Sequence, residues 1–188
     1  MAIEEYGYYC TLKDTSFAAV KNKVVGALKA EGFGVLSEID VRATFKEKLD
    51  VEFRNYLILG ACNSQLAKRA LEAEAQAGLL LPCNVVLQDR IGAEGVLVSF
   101  QNPTALAELT RNPELAAIAH EADVRILQVL LALGGEVPVG KEAKLEDVTP
   151  QHPDQYPARG LKARLDTHRD RLADIKEHSP SEGFVTKE

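Results

Sequence analysis

The sequence predicts an α+β fold: a mainly antiparallel five-stranded sheet with helices packed mostly on one face, followed by a C-terminal helical extension. Three observations lead there. Short segments of period-two alternation recur along the first hundred residues, and capped helical segments separate them. The order strand, helix, strand, short helix, strand, helix, strand, strand, helices is too irregular for a doubly wound parallel sheet. A long apolar helical stretch near residues 113–133 supplies one face large enough to cover such a sheet.

Tyr6, Tyr8, Cys10 and Leu12 alternate with polar or small residues and define the first strand. Asp14, Thr15 and Ser16 offer N-caps for a helix to Glu31, with Phe17, Val20, Val24 and Leu28 as its buried stripe and Gly32 as its stop. Phe33, Val35, Ser37, Ile39 and Val41 are expected on one face of the second strand. Asp40 is positioned to cap a short helix that buries Phe45 and Leu49. Tyr56 to Ala61 is nearly all apolar, which predicts a central strand covered on much of both faces. Asn63 caps a helix expected to run through Ala77, with Leu66, Ala67, Ala70 and Leu71 inward. Val85–Gln88 and Val96–Phe100 flank a Gly-containing connection and read as a hairpin. Asn102-Pro103 and Asn112-Pro113 are N-cap/N1 pairs, the second opening a helix that ends at Gly134-Gly135.

These segments place one domain over residues 1–135. Residues 136–157 carry four of the eight prolines and read as a linker or arm. Residues 158–188 read as a helix with a frayed tail. In that helix Leu161, Leu165, His168, Leu172 and Ile175 form a narrow apolar seam that must dock on its own domain or on a second copy.

Composition bounds the function. The 188-residue chain has a net charge of −6 and no basic block, which argues against nucleic acid and anionic membrane surfaces. Tryptophan is absent and aromatics are few, so a base-stacking platform is not expected. Met1–Glu5 is short and acidic, unlike a secretory leader, and the apolar runs are too short to span a bilayer. Three cysteines in such a chain point to a reducing, cytoplasmic setting and free thiols.

The chemistry concentrates at a doublet. Cys62-Asn63 closes one apolar run and Cys83-Asn84 opens the next. Cys62 precedes a helix N-terminus, whose dipole is expected to lower a thiol pKa and favour nucleophilic, redox or soft-metal roles. The plainer reading is a pair of small buried hydrophobes, with Asn63 and Asn84 serving as caps or turn residues. The two thiols meet only if the third and fourth strands are antiparallel neighbours; a parallel crossover would leave them at opposite ends of the sheet. Cys10 reads as core. No Walker loop, dinucleotide fingerprint, serine elbow or Cys-x-x-Cys motif occurs, so no cofactor is indicated. His120, on a helix beside Glu121, reads as a surface or partly packed histidine.

Gly60-Ala61-Cys62-Asn63, Leu66-Ala67, Ala70-Leu71 and the run Gly78-Leu79-Leu80-Leu81-Pro82-Cys83-Asn84-Val85 resemble the domain-of-unknown-function family 302 (DUF302). Gly32-Phe33-Gly34-Val35, Ile39-Asp40-Val41 and Asn112-Pro113 extend the resemblance to roughly residues 5–135. Ser64 stands where family members often have proline, a change compatible with a helix start. The resemblance implies a small cytoplasmic α+β domain, often dimeric, and supplies no activity. Two readings follow from the residues: thiol-based redox, sulfur or soft-metal handling through Cys62 and Cys83, or a noncatalytic module that binds a small ligand or a protein. A hydrolase is a weaker third, because no triad spacing is visible.

Overall fold

The computed structural model describes residues 6–13 and 15–136. The expected arm, C-terminal helix and Leu161–Ile175 seam lie outside the described residues. Five strands, β1 (Gly7–Leu12), β2 (Gly34–Asp40), β3 (Tyr56–Cys62), β4 (Cys83–Asp89) and β5 (Val96–Gln101), form one sheet in the order β1-β5-β4-β3-β2. Every neighbouring pair is antiparallel. The helices are α1 (Phe17–Ala30), α2 (Val41–Leu49), α3 (Ser64–Ala73), α4 (Pro103–Ala107) and α5 (Pro113–Ala132).

One face of the sheet carries the core. Cys10, Val98, Leu87 and Leu57 stand side by side across four strands, and Tyr8, Phe100, Val85 and Leu59 form the next row. All eight are buried, as are Val20, Val24 and Leu28 of α1. Helix α5 packs against α1, α3 and α4 and contributes Ile126, Leu127 and Leu130. Each fully buried side chain of this size contributes about 1.5–3 kcal/mol through removal of apolar surface from water. Asn63, Asn102 and Asn112 each accept two backbone N–H bonds at a helix start, as their positions in the sequence predicted. Gly134, at φ +83°, turns the chain out of α5.

Four local expectations are corrected. A bulge between Val35 and Ser37 breaks the alternation of β2. Val35 therefore pairs with Ala61 on the core face, whereas Ser37 and Ile39 pair with Gly60 and Ile58 on the opposite face. Helix α2 buries none of its residues; Phe45 is half-buried edge-to-face against Phe53, and Leu49 is exposed. β3 is second from the edge, and β4 is the central strand. Finally, α3 stops at Ala73, because Glu74 is extended (φ −155°, ψ 117°) and a 3-10 turn follows over Ala75–Leu80. The break drops Ala77 into the core and leaves Leu71 exposed.

The face away from the helices is also partly apolar. Tyr9, Ser99, Val86, Ile58 and Ile39 form one continuous row across all five strands. Tyr9 is 41% exposed and Ile39 50%.

Candidate functional site

The end of β3 and the start of β4 lie side by side. Ala61 pairs with Cys83 and Gly60 with Asn84, so Cys62 directly follows the cross-strand partner of Cys83. The antiparallel arrangement is the one that brings the two thiols to the same end of the sheet. Gly60 is required there: a Cβ at this position would lie 2.3 Å from Ser37 Oγ and 2.7 Å from Pro82 Cγ. The absent side chain lets Pro82 close over the strand and fixes where Cys83 enters the ladder.

Both cysteines border a cavity of about 70 Å³ between this end of the sheet and the helices. Leu66 and Ala70 come from α3, Leu106 from α4, and Ile118 and Ala122 from α5. The space exists because facing positions of α3 and α5 carry alanine, at Ala67, Ala70, Ala119 and Ala122. The polar groups at its wall are few; Asn63 and Gln101 supply the amides. Asn63 Oδ1 accepts from the N–H groups of Gln65 (3.1 Å) and Leu66 (3.2 Å), which fixes the amide so that Nδ2 is the end left over. Asn84 is separated from the cavity: it is exposed and pairs with Gly60 on the other face. Cys10 is buried beneath Leu130 and Gly135, apart from this cavity.

All three cysteines are free thiols. The expected lowering of the Cys62 pKa does not hold. Burial raises it, and burial followed by the nearby Cys62 charge pushes Cys83 up to about 11. Loss of hydration disfavours the charged form of both thiols. Among the described residues no group of three or more His, Cys, Asp or Glu side chains could hold a metal, so a four-coordinate zinc centre has no ligand set there.

Two polar clusters were not predicted from the sequence. Tyr8 Oη donates to the carboxylate of the fully buried Asp123, with burial and then that carboxylate raising the Tyr8 pKa. Arg69 (2.6 Å) and Arg125 (3.0 Å) both donate to Glu121. Burial works to raise the Glu121 pKa, but the two arginines outweigh it and hold the carboxyl below its usual range. A signal for both was present: Asp123 and Arg125 interrupt the most apolar helical stretch of the chain.

A family model for the domain of unknown function DUF302 matches residues 8–133. The chain belongs to the DUF302 family. The match spans every strand and helix described above except Gly7, the first residue of β1, and includes Cys62 and Cys83. Among solved structures, a crystal structure of an uncharacterized conserved DUF302 protein from Bacillus stearothermophilus superposes with a TM-score of 0.63. It is 28% identical, and the alignment covers 69% of this chain and 99% of that one. No curated protein matches the chain. The DUF302 domain is thus an antiparallel five-stranded α+β unit with an apolar cavity at the Cys62 and Cys83 end of its sheet.

Proposed function

We propose that this DUF302 domain is a noncatalytic binding module that takes a small apolar ligand into the cavity beside Cys62 and Cys83. The observation that carries the reading is the wall itself: apolar side chains from three helices, with two thiols kept neutral by burial. Neutral thiols are weak nucleophiles and good apolar lining. Calorimetric titration of the full chain with 1-hexanol and with benzene tests it. Saturable binding that Ala119→Leu abolishes, with no loss of stability, is expected. Absence of binding by both probes overturns the reading.

A second reading, soft-metal or sulfur handling, is favoured by one observation: both thiols border the same cavity. Two thiolates suffice for a two-coordinate soft ion such as Cu(I). Anaerobic Cu(I) titration against a competing chelator should then show one equivalent bound, lost in Cys62→Ser and in Cys83→Ser. Retention by either variant rejects it.

The proposal includes a cytoplasmic homodimer that binds neither nucleic acid nor membranes. The row Tyr9, Val86, Ile58 and Ile39 supports self-association, because half-exposed apolar rows on a sheet favour burial. The charge of −6 supports the absence of nucleic acid. No helix among the described residues is long and apolar enough to cross a membrane. Sedimentation of the full chain at tens of micromolar tests the dimer, and a monomer there removes it.

A further inference from the structure

The chain is 27% charged, yet none of the residues that the five strands turn to the face away from the helices carries a charge. On one side of the row through Tyr9, Val86 and Ile39 stand Thr11, Leu97, Gln88 and Tyr56. On its other side Gly7 pairs with Gln101, and Gly60 with Asn84 and Ser37. The acidic residues of the strands are used elsewhere. Glu38 pairs with Leu59 in a core-face row and bonds Lys21 of α1. Asp40 caps α2, and Asp89 accepts from Asn55 at 2.8 Å. Arg54, beside the face, is anchored: Nε and Nη2 donate to Gln88 Oε1 at 3.2 and 2.8 Å, and the guanidinium lies 4.5 Å from the Phe53 ring centre. A sheet face left to solvent is ordinarily polar. This one lacks the charges that would recognise a nucleic acid or a charged peptide.

The pattern matches a second copy of itself. Val86 is in the middle row and on β4, the third of the five strands. Two identical sheets stacked face to face are related by a two-fold axis in the plane between them, along the strands or across them. A two-fold through Val86 sets this residue against its own counterpart in both cases. An axis along the strands also carries Tyr9 to Ile39 and Ser99 to Ile58. An axis across the strands sets each of these four against its own counterpart. Tyr9 and Ile39, the exposed ends of the row, meet an apolar partner either way, and the strands bring no like charges together.

We propose that this uncharged face is the contact surface between two copies of the chain, stacked sheet on sheet with Val86 at the centre. The placement rests on the homodimer reading above and adds the surface to it. Five strands of six or seven residues, about 4.8 Å apart and rising about 3.3 Å per residue, cover roughly 24 by 20 Å. Stacking two such faces buries about 1,000 Å², the lower bound for a specific interface, so the dimer is a reversible one of micromolar affinity.

Sedimentation of the full chain and of Val86→Glu over a range of concentrations tests the surface. The unmodified chain should dimerise at tens of micromolar, and Val86→Glu should weaken the dimer at least tenfold while keeping its urea midpoint. Oxidation of Val86→Cys with diamide provides a second measurement that needs no buried charge. It should link two chains through a disulfide at least tenfold faster than oxidation of Leu79→Cys, whose position is 84% exposed on the 3-10 turn after α3. A full chain that stays monomeric overturns the homodimer reading itself. A folded Val86→Glu variant that dimerises as tightly as the parent overturns the choice of face and leaves the homodimer standing. Linking of Val86→Cys no faster than that of Leu79→Cys overturns the placement of Val86 at the centre.

Discussion

Tyr8 on β1 donates a hydrogen bond to Asp123, a carboxylate with no exposed surface that lies 115 positions later on α5. The bond ties the edge strand next to β5 to the helix that closes the core. A polar group buried this deeply is tolerated only where hydrogen bonds compensate for lost hydration.

Removing the Tyr8 donor should therefore cost more than its small change in volume suggests. Tyr8→Phe is expected to destabilise by about 1–3 kcal/mol, the cost of weakening the satisfaction of a buried acceptor. The double variant with Asp123→Leu should lose less than the sum of the single changes, because the carboxylate that needed the donor is gone. Urea unfolding of the four proteins measures this. Additive losses would show that the pair is not coupled.

The buried thiols predict an alkaline loss of stability. Burial, then the Cys62 charge, raises the Cys83 pKa from 9.0 to about 11. The folded pKa exceeds the unfolded one, so the contribution is fully present below about pH 9 and disappears as pH rises towards 11. Cys83→Val should lose roughly 1–3 kcal/mol less than the parent between pH 8 and pH 11. Parallel slopes of stability against pH for the two proteins would contradict the prediction.

Thiol labelling should be slow. Iodoacetamide at pH 7.5 is expected to modify Cys62 and Cys83 in the folded chain at least tenfold more slowly than in urea, since alkylation needs a thiolate and access. Mass spectrometry of peptides from timed samples gives the rates. A fast phase at Cys62 alone would restore the helix-dipole expectation drawn from the sequence.

Gly60 should resist substitution. In Gly60→Ala the new methyl meets Ser37 Oγ and Pro82 Cγ inside contact distance, so the segment entering β4 must move. The expected loss is about 1–3 kcal/mol, as for other overpacked sites. Thermal melts of Gly60→Ala and of Gly26→Ala, where a Cβ would meet nothing within 4 Å, make the comparison. Equal melting temperatures would mean that the β3–β4 corner yields easily.

The fold was legible because its signals are local. Alternation in residues 6–12, the Asn-Pro helix starts and the apolar run at Tyr56 each fix an element from a few neighbouring residues. The bulge in β2 was not legible, since Ser37 and Ile39 take their face from pairing with Gly60 and Ile58. Nor was the end of α3, which Glu74 settles through a partner 38 positions away. Half of the site could be read: Cys62, Cys83 and Asn63 border the cavity, as a shared corner suggested. The direction of the thiol pKa could not, because a dipole is visible in a helix start while desolvation depends on α4 and α5. The partners of Asp123 and Glu121 lay hidden for the same reason, since Tyr8 and Arg69 stand 115 and 52 positions away.

Asn112 does two jobs with one amide. Its Oδ1 accepts from the Glu114 and Leu115 N–H groups that open α5, and its Nδ2 donates to Glu74 at 3.1 Å. Local helix initiation and long-range docking of the α3 end thus share a single rotamer. The wall formed by α3 and the wall formed by α5 are fastened at the same bolt, so widening one cannot leave the start of the other undisturbed. Asn112→Asp would keep the acceptor for the cap while setting two carboxylates against each other, separating secondary from tertiary structure at one position.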